Sequence, residues 1–154
     1  MLTQNSLIGV RDPYGIRPLL IGKLGSSYVL ASETCALDII GANFLREVDN
    51  GEIVLIENNQ LTSIKPFPPR KVRPCVFEYI YFARPDSLID NKTAYEHRKN
   101  LGVELAKEND IDADIVVPVP DSGNAAALGF SQKLKINFEH GLIRNHYVGR
   151  TFIE

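Results

Sequence analysis

The feature that most constrains the fold is a proline-rich segment near the middle of the 154-residue sequence, KPFPPRKVRP at Lys65–Pro74. It contains four prolines and four basic residues. Proline has no amide donor and a fixed φ, so such a segment neither continues a helix nor lies inside a sheet. The segment therefore predicts a boundary, with one folded part before it and another after it.

Before this boundary, short apolar runs alternate with turn residues. The turn RDPYG at Arg11–Gly15 combines Asp, Pro and Gly at positions that favour chain reversal. The run SETCALDIIG predicts a short helix from Ser32 to Gly41. We expect a mostly antiparallel sheet with one small helix. The predicted strands cover residues 6–10, 18–22, 27–31, 52–57 and 61–64.

After the boundary, the pattern changes to alternating strands and helices, which is typical of parallel βαβ units. Helices are predicted near 94–108 and 123–134, and strands at 113–120 and 137–143. In the first helix, Ala94, Leu101 and Leu105 are expected to line one face, with the aliphatic stem of Arg98 between them. Gly102 is expected to allow close packing, because glycine otherwise weakens a helix by about 1 kcal/mol.

The boundary is followed by an aromatic run, RPCVFEYIYFARPDS at Arg73–Ser87. Its dense aromatic content predicts a buried strand, closed by a turn at Arg84–Ser87. Cys75 precedes the aromatic residues. Considered alone, this cysteine is interpreted as a small buried hydrophobic residue with a reduced thiol.

Overall charge and cysteine content exclude several classes of protein. Seventeen Lys and Arg against 19 Asp and Glu give a net charge of −2, which predicts no broad nucleic-acid binding. No apolar run reaches the length of a membrane span, and the N-terminus is unlike a signal peptide. The two cysteines lie 40 positions apart and form no zinc motif. We therefore expect a cytoplasmic protein that binds neither nucleic acid nor membrane.

The first candidate site is the junction VVPVPDSGNAAAL at Val116–Leu128, where a predicted buried strand ends and a helix begins. Ligands of α/β sheets bind at the carboxyl ends of strands, and a helix start attracts anions. Gly123 would let a phosphate approach the backbone, and the Ser122 hydroxyl could contact a phosphate-bound Mg²⁺. The alternative is that Asp121 and Ser122 only cap the helix.

The second candidate is the C-terminal segment IRNHYVGRTFIE. Arg144, His146 and Arg150 alternate here with aromatic residues around a glycine. Arginine binds phosphate in a bidentate manner, so the segment is a candidate phosphate-binding loop. The alternative is an exposed basic loop without a ligand.

Five motifs together resemble the amidophosphoribosyltransferase family. In chain order they are RDPYGIRPL (11–19), ASETCALD (31–38), FEYIYFARPDS (77–87), VPDSG (119–123) and RNHYVGRTFI (144–153). The first two also resemble other N-terminal-nucleophile glutaminases, whereas the last three are more specific. The resemblance extends over essentially the whole chain.

The resemblance implies a mixed α/β fold, α+β overall. The C-terminal part of an N-terminal-nucleophile glutaminase antiparallel sheet would occupy residues 1–65, followed by a linker at 66–74. The first βαβ units of a type I phosphoribosyltransferase parallel sheet would occupy residues 75–154. In this family, glutamine-derived ammonia displaces pyrophosphate from phosphoribosyl pyrophosphate, giving 5-phosphoribosylamine in the first step of purine synthesis.

The resemblance also implies ligands and site residues. Glutamine and phosphoribosyl pyrophosphate would be the substrates, Mg²⁺ a cofactor, and the complete enzyme a homo-oligomer. Ser122 matches a Mg-associated position, and Cys75 matches an iron–sulfur ligand of members that carry a [4Fe–4S] cluster. The positions implied for pyrophosphate binding are Asp121, Ser122, Gly123, Asn124, Arg144 and Arg150.

Two parts of the family pattern are absent from the sequence. The catalytic N-terminal cysteine has no counterpart, since Cys35 lies inside ASETCALD, and the paired aspartates that bind ribose phosphate are missing. The expectation is therefore an internal fragment without a catalytic nucleophile, inactive alone. The alternative is a non-catalytic remnant or subunit that assembles with a complementary chain or weakly binds a phosphate ligand.

Overall fold

The computed structural model describes residues 1–109 and 111–149, and the chain divides into two compact units, Met1–Ala94 and Tyr95–Glu154. Residues 75–94 thus group with the first unit, although the sequence placed the start of the second domain at residue 75. Backbone hydrogen bonds explain this grouping: the amide of Arg73 donates to Tyr14 (2.8 Å) and that of Cys75 to Ile16 (2.9 Å). The domain limits inferred from the family remain a prediction.

The first unit contains two three-stranded antiparallel sheets, as the turn pattern predicted. One has the strand order β1-β5-β6 and the other β3-β2-β4. A tight turn at Asn58 and Asn59, both with positive φ, joins β5 to β6 and sets their register. The strands are β1 (Ser6–Val10), β2 (Leu20–Leu24), β3 (Ser27–Ala31), β4 (Asn43–Glu47), β5 (Ile53–Glu57) and β6 (Gln60–Ile64).

The predicted helix is confirmed as α1 (Thr34–Ile39), but β4 directly after it was missed. The sequence NFLRE of β4 lacks a clear alternation, and Phe44 and Leu45 are about half exposed. Its strand conformation comes from pairing with β2, where the register shifts between Ile21 and Gly22. Such tertiary pairing leaves little signal in a local pattern.

The core of this unit is centred on Ile21, Val48 and Val54, each at most 1% exposed. Ile21 belongs to β2 and Val54 to β5, so both sheets contribute to one cluster. Gly9 of β1 permits this contact, since a Cβ there would lie 2.7 Å from a Leu30 methyl group. Burying each aliphatic side chain contributes about 1.5–3 kcal/mol. Leu19, Tyr28, Leu30 and Leu61 pack around the cluster.

The prediction of a buried aromatic strand after the boundary is wrong. Glu78–Phe82 instead forms a π-helical turn, in which the Ala83 amide donates to the Glu78 carbonyl (3.2 Å). Phe77 and Phe82 are about half exposed, whereas Glu78 is buried and lies 2.6 Å from Arg17. The rings contact one another along a helical surface, and the Phe77 and Phe82 centroids are 5.8 Å apart. Aromatic content alone did not distinguish a strand from a turn of helix.

In the second unit, helices α2 (Ala94–Glu108) and α3 (Asn124–Leu134) confirm the two helix predictions. A strand pair at the end of the first unit, β7 (Leu88–Ile89) with β8 (Lys92–Thr93), immediately precedes α2. Strands β9 (Ile115–Val116) and β10 (Asn137–Phe138) pair in parallel, as expected, but are much shorter than predicted. None of the described helices has the length and apolar character needed to cross a membrane.

The buried face of α2 differs from the prediction, because Leu101 and Leu105 are each about half exposed. Ala94 and Arg98 are buried as predicted, and the buried positions recur at every fourth residue. The expectation for Gly102 is supported: a Cβ there would overlap the Ala126 carbonyl of α3. Small side chains thus let the two helices approach closely, and the bulky leucines lie outside this contact. The buried positions are Ala94, Arg98, Gly102 and Ala106.

Candidate functional site

The candidate anion site lies where the chain leaves β9 and enters α3. Val117–Pro120 follows the strand, and Asp121 and Ser122 are exposed on the connecting turn. The Pro120–Asp121 peptide bond is cis. Because β9 and β10 are parallel, this turn lies at the carboxyl end of a parallel strand, where α/β proteins bind ligands.

The capping interpretation of Asp121 and Ser122 is wrong. The residue that caps α3 is Gly123, and no side-chain hydrogen bond from a described residue caps this helix start. The amides of Gly123 and Asn124 donate to the carbonyls of Val119 (3.1 Å) and Asp121 (3.2 Å). The Asp121 carboxylate and the Ser122 hydroxyl are therefore not used for capping. The Gly123 and Asn124 amides, which were expected to be free for an anion, already donate to backbone carbonyls.

Gly123 has a structural role that the sequence did not reveal. A Cβ at this position would lie 2.6 Å from the Val119 carbonyl oxygen. Only glycine therefore allows the tight turn that connects β9 to α3. This requirement is independent of the predicted phosphate contact.

Two of the predicted site residues come together in the fold. The Nε atom of Arg144 lies 3.4 Å from Asp121 Oδ2, and their side chains are 48% and 58% exposed. An exposed pair of this kind contributes little stability. It does hold a guanidinium beside the turn, where a phosphate could replace the carboxylate as its partner. Arg150 lies outside the described residues.

Asn124 adds an unsatisfied polar atom to the same turn. Its Oδ1 is buried and has no hydrogen-bond partner among the described residues. Buried acceptors are nearly always bonded, so this oxygen favours a donor from a bound molecule or water. The side chain as a whole is only partly buried.

The described residues do not form a resident metal centre. Among residues 1–109 and 111–149, no group of three His, Cys, Asp or Glu side chains is placed to hold a metal ion. The whole sequence contains two cysteines, whereas a four-cysteine cluster needs four. At the turn, Ser122 offers a single hydroxyl oxygen. One oxygen is too few to hold a magnesium ion alone, but it suits a magnesium ion that a phosphate ligand also coordinates.

The two thiols lie in different surroundings. Cys75 is half-buried, while Cys35 is buried and its thiol lies 3.5 Å from Glu33 Oε2. Burial is the main cause that raises the pKa of the Cys35 thiol, so it stays protonated and unreactive near neutral pH. That Cys35 is not the nucleophile stays a prediction.

Sequence reasoning missed a cleft of about 370 Å³ in the first unit. Burial raises the pKa of the Glu78 carboxyl and, with a hydrogen bond to Asp90 (2.7 Å), raises the pKa of the Tyr79 phenol to about 12. The polar residues that line the cleft come from widely separated positions in the sequence, so no local motif marks the cleft. Arg11, Glu33, Glu47, Cys75, Glu78 and Asp90 are among the residues that line it.

The fold and the turn define a mixed α/β protein with antiparallel sheets in one unit and a parallel strand pair with a candidate anion site in the other. No protein-family model matches the sequence. The amidophosphoribosyltransferase of Rhizobium etli is 56% identical over 99% of this chain, which covers 32% of that protein. The Bacillus subtilis enzyme of the same name is 47% identical over the full chain and 32% of its own length.

Solved structures give the same result. The glutamine phosphoribosylpyrophosphate amidotransferase of Bacillus subtilis, complexed with ADP and GMP, matches 99% of this chain with a TM-score of 0.91 and 48% identity. The match covers 34% of that structure. Over nearly its whole length the chain is similar to amidophosphoribosyltransferases, and it spans about a third of the length of the curated relatives it matches.

Proposed function

We propose that this chain is part of an enzyme that transfers glutamine-derived ammonia to phosphoribosyl pyrophosphate. In this reaction, the ammonia nitrogen bonds to C1 of the ribose, the C1–oxygen bond breaks, and pyrophosphate leaves. The products are 5-phosphoribosylamine and pyrophosphate. The observation that supports this most is the exposed Asp121–Ser122 turn beside Arg144, in a sequence about half identical to the named relatives.

The proposed role of the turn is to bind the pyrophosphate group of the substrate. Asp121, Ser122, Gly123 and Asn124 surround the ligand, while Arg144 and Arg150 supply positive charge. Charge-assisted hydrogen bonds from arginine to phosphate are about twice as strong as neutral ones. A magnesium ion bound to the substrate would neutralise part of the phosphate charge, and the Ser122 hydroxyl is the group that would hold it. Stabilising the leaving group in this way lowers the barrier to displacement.

The finer fold assignment also belongs to this proposal. Residues 1–65 would be part of a glutaminase domain and residues 75–154 part of a phosphoribosyltransferase domain, in a cytoplasmic homo-oligomer. The antiparallel sheets and the parallel β9–β10 pair support this assignment. The location is less constrained, since the soybean relative is named as chloroplastic.

A chimaeric enzyme tests the proposal. The matching third of the Rhizobium etli relative is replaced by this chain, and glutamine-dependent pyrophosphate release is measured. We expect the chimaera to be active. We expect Ser122→Ala to raise the KM for phosphoribosyl pyrophosphate about tenfold, because a hydrogen bond to a charged group contributes about 1.5–3 kcal/mol.

The matched control is Ser26→Ala, which removes another exposed hydroxyl far along the chain in the turn after β2. It should leave both kinetic constants unchanged. A chimaera that is folded and has the size of the parent enzyme, but releases no pyrophosphate, would contradict the proposed function. Equal KM values in the two serine variants would contradict only the role of the turn.

A further inference from the structure

Two sequence motifs that lie far apart along the chain meet in the first unit. Glu33 is the N-cap residue of α1, yet its side chain makes no capping hydrogen bond with that helix. Its Oε2 atom instead accepts hydrogen bonds from the amide of Arg84 (2.7 Å) and the hydroxyl of Ser87 (2.7 Å). The Cys35 thiol donates to the same oxygen at 3.5 Å. One carboxylate oxygen thus joins the start of α1 to the Arg84–Ser87 turn.

Further hydrogen bonds extend this contact to the first residue of α2. The Leu88 amide donates to Thr34 Oγ1 (2.9 Å), and the Ala94 amide donates to the Ser87 carbonyl (2.8 Å). Ser87 and Thr34 are 1% and 8% exposed, so water does not replace these partners. The path from α1 to Ala94 is therefore a continuous series of buried or half-buried hydrogen bonds.

The chemistry of the contact makes Glu33 its central residue. Hydrogen bonds to a carboxylate are shorter and stronger than those between neutral groups. Removing Glu33 would leave the exposed Arg84 amide and the buried Ser87 hydroxyl without this acceptor. The Ser87 hydroxyl is the costly one, because a buried donor without a partner is destabilising. The segment would then move until water satisfied these groups. Displacements of about 1 Å are enough to slow a positioned reaction about a hundredfold.

We propose that Glu33 is a positioning residue that couples glutamine hydrolysis to ammonia transfer. It holds the segment Arg84–Leu88, through which the chain leaves the antiparallel sheets and enters α2. This inference rests on the proposed function, since coupling has meaning only for an enzyme with both reactions. The residue touches neither substrate in this role and acts through the segment that it holds.

The test measures the coupling ratio in the chimaeric enzyme, defined as pyrophosphate released per glutamine hydrolysed. Glu33→Leu removes the acceptor while keeping a similar volume, and we expect the ratio to fall about tenfold. Glu33→Gln retains one carbonyl oxygen for the same donors, and we expect a ratio within about twofold of the unmodified chimaera. Glu57→Leu changes an exposed glutamate at the end of β5 and should leave the ratio unchanged.

Amide hydrogen exchange in the 154-residue chain provides a second measurement. We expect Glu33→Leu to speed exchange of the Arg84 and Leu88 amides by about tenfold or more, while the Ile56 amide of β5 keeps its rate. If Glu33→Leu does not fold, Ser87→Ala, which removes only the hydroxyl bond, is compared instead and should lower the coupling ratio by a smaller factor. If Glu33 only stabilised the fold, its substitution would change the free energy of unfolding but leave the coupling ratio constant.

The outcomes separate the two proposals. An unmodified chimaera without glutamine-dependent transfer overturns the proposed function, and the coupling role with it. An active chimaera whose ratio is the same with Glu33 and with its substitutions overturns the coupling role alone. Unchanged exchange of the Arg84 amide in Glu33→Leu would show that the contact does not hold the segment, and would also overturn the proposal.

Discussion

Glu52 shows how one residue connects several elements of the first unit. Its side chain is 1% exposed and its carboxylate accepts hydrogen bonds from both Arg46 nitrogens (2.6 and 2.8 Å). The Ser63 hydroxyl and the Asp49 amide also donate to it, each at 2.6 Å. Four donors around one buried carboxylate satisfy it fully, so the charge is stabilised despite its burial.

These partners make the unit sensitive to acid. The Arg46 hydrogen bonds, followed by those of Ser63 and Asp49, lower the pKa of Glu52 to about 2, against the opposing effect of burial. A lowered folded-state pKa stabilises the fold above the ordinary value and loses that effect as pH falls through the folded value. We expect the free energy of unfolding to fall by about 3 kcal/mol between about pH 5 and 2 from this group. Urea denaturation at several pH values measures it.

The matched variants for this test are Glu52→Gln and Glu57→Gln. Because a glutamine side chain carries no titrating charge, Glu52→Gln should be less stable than the wild type at pH 7 but approach it at about pH 2. Glu57 is exposed, so its variant should follow the wild type at every pH. A constant difference between Glu52→Gln and the wild type across this range would refute the pKa argument.

At the scale of elements, the contact between α2 and α3 depends on two glycines. A Cβ on Gly102 would overlap the Ala126 carbonyl, and a Cβ on Gly129 would overlap that of Lys99. Each helix therefore presents a glycine to the backbone of the other. Since the groups in contact are backbone atoms, neither helix can relieve an added methyl group by changing a rotamer.

Because of this contact, we expect a glycine-to-alanine substitution in α2 to lower the free energy of unfolding, the opposite of its usual effect in a helix. Helix propensity alone would make Gly102→Ala stabilising by about 1 kcal/mol. Overpacking opposes this gain, and we expect a net destabilisation of about 2 kcal/mol, measured by denaturation followed with circular dichroism. Gly149→Ala is the control, because a Cβ there meets no atom within 4 Å, and it should be nearly neutral. A more stable Gly102→Ala variant would show that the helices can separate without cost.

At the scale of the whole molecule, apolar side chains at the surface set the expected behaviour in solution. Val76, Phe77, Ile80 and Phe82 are each between 43% and 58% exposed along one short segment. Contiguous exposed apolar groups of this kind mark interaction surfaces. They are also what the alternative from the sequence analysis, a subunit that assembles with a complementary chain, would require.

We expect the purified chain to bind a hydrophobic fluorescent dye at this surface. The double substitution Phe77→Ser and Phe82→Ser should reduce the fluorescence several-fold, because it removes two exposed rings. The same substitution at Leu101 and Leu105, which are also half exposed but lie on α2, should reduce it less. Equal reductions would mean that the aromatic surface is not the main binding region.

Much of the first unit was predictable, because antiparallel strands separated by turns carry local signals. Asp-Pro-Tyr-Gly at 12–15 and the Asn58–Asn59 pair are turn residues, and the strands beside them were placed correctly or within about two residues. The β4 strand was not predictable, since its pairing with β2 determines its conformation. The prediction of a strand at the aromatic run was wrong for the same reason. Whether these residues form a strand depends on a neighbouring strand to pair with, and Glu78–Phe82 forms a π-helical turn.

The candidate site was partly predictable. Asp121, Ser122 and Gly123 carry a motif within a few residues, so the sequence alone located the turn after β9. Other features of the site depend on the folded structure. Asp121 pairs with Arg144 and does not cap α3, and Gly123 is required because of its contact with Val119.

The sequence by itself determined the division into two types of structure, the positions of α1, α2 and α3, the similarity to amidophosphoribosyltransferases and the candidate phosphate turn. These follow from short-range periodicity, turn chemistry and contiguous motifs, which are local properties of a chain. Only the tertiary structure decided which leucines of α2 are exposed and that Glu33 reaches Arg84 and Ser87. Such contacts join residues far apart in sequence, and their energies depend on burial and geometry that no local pattern contains.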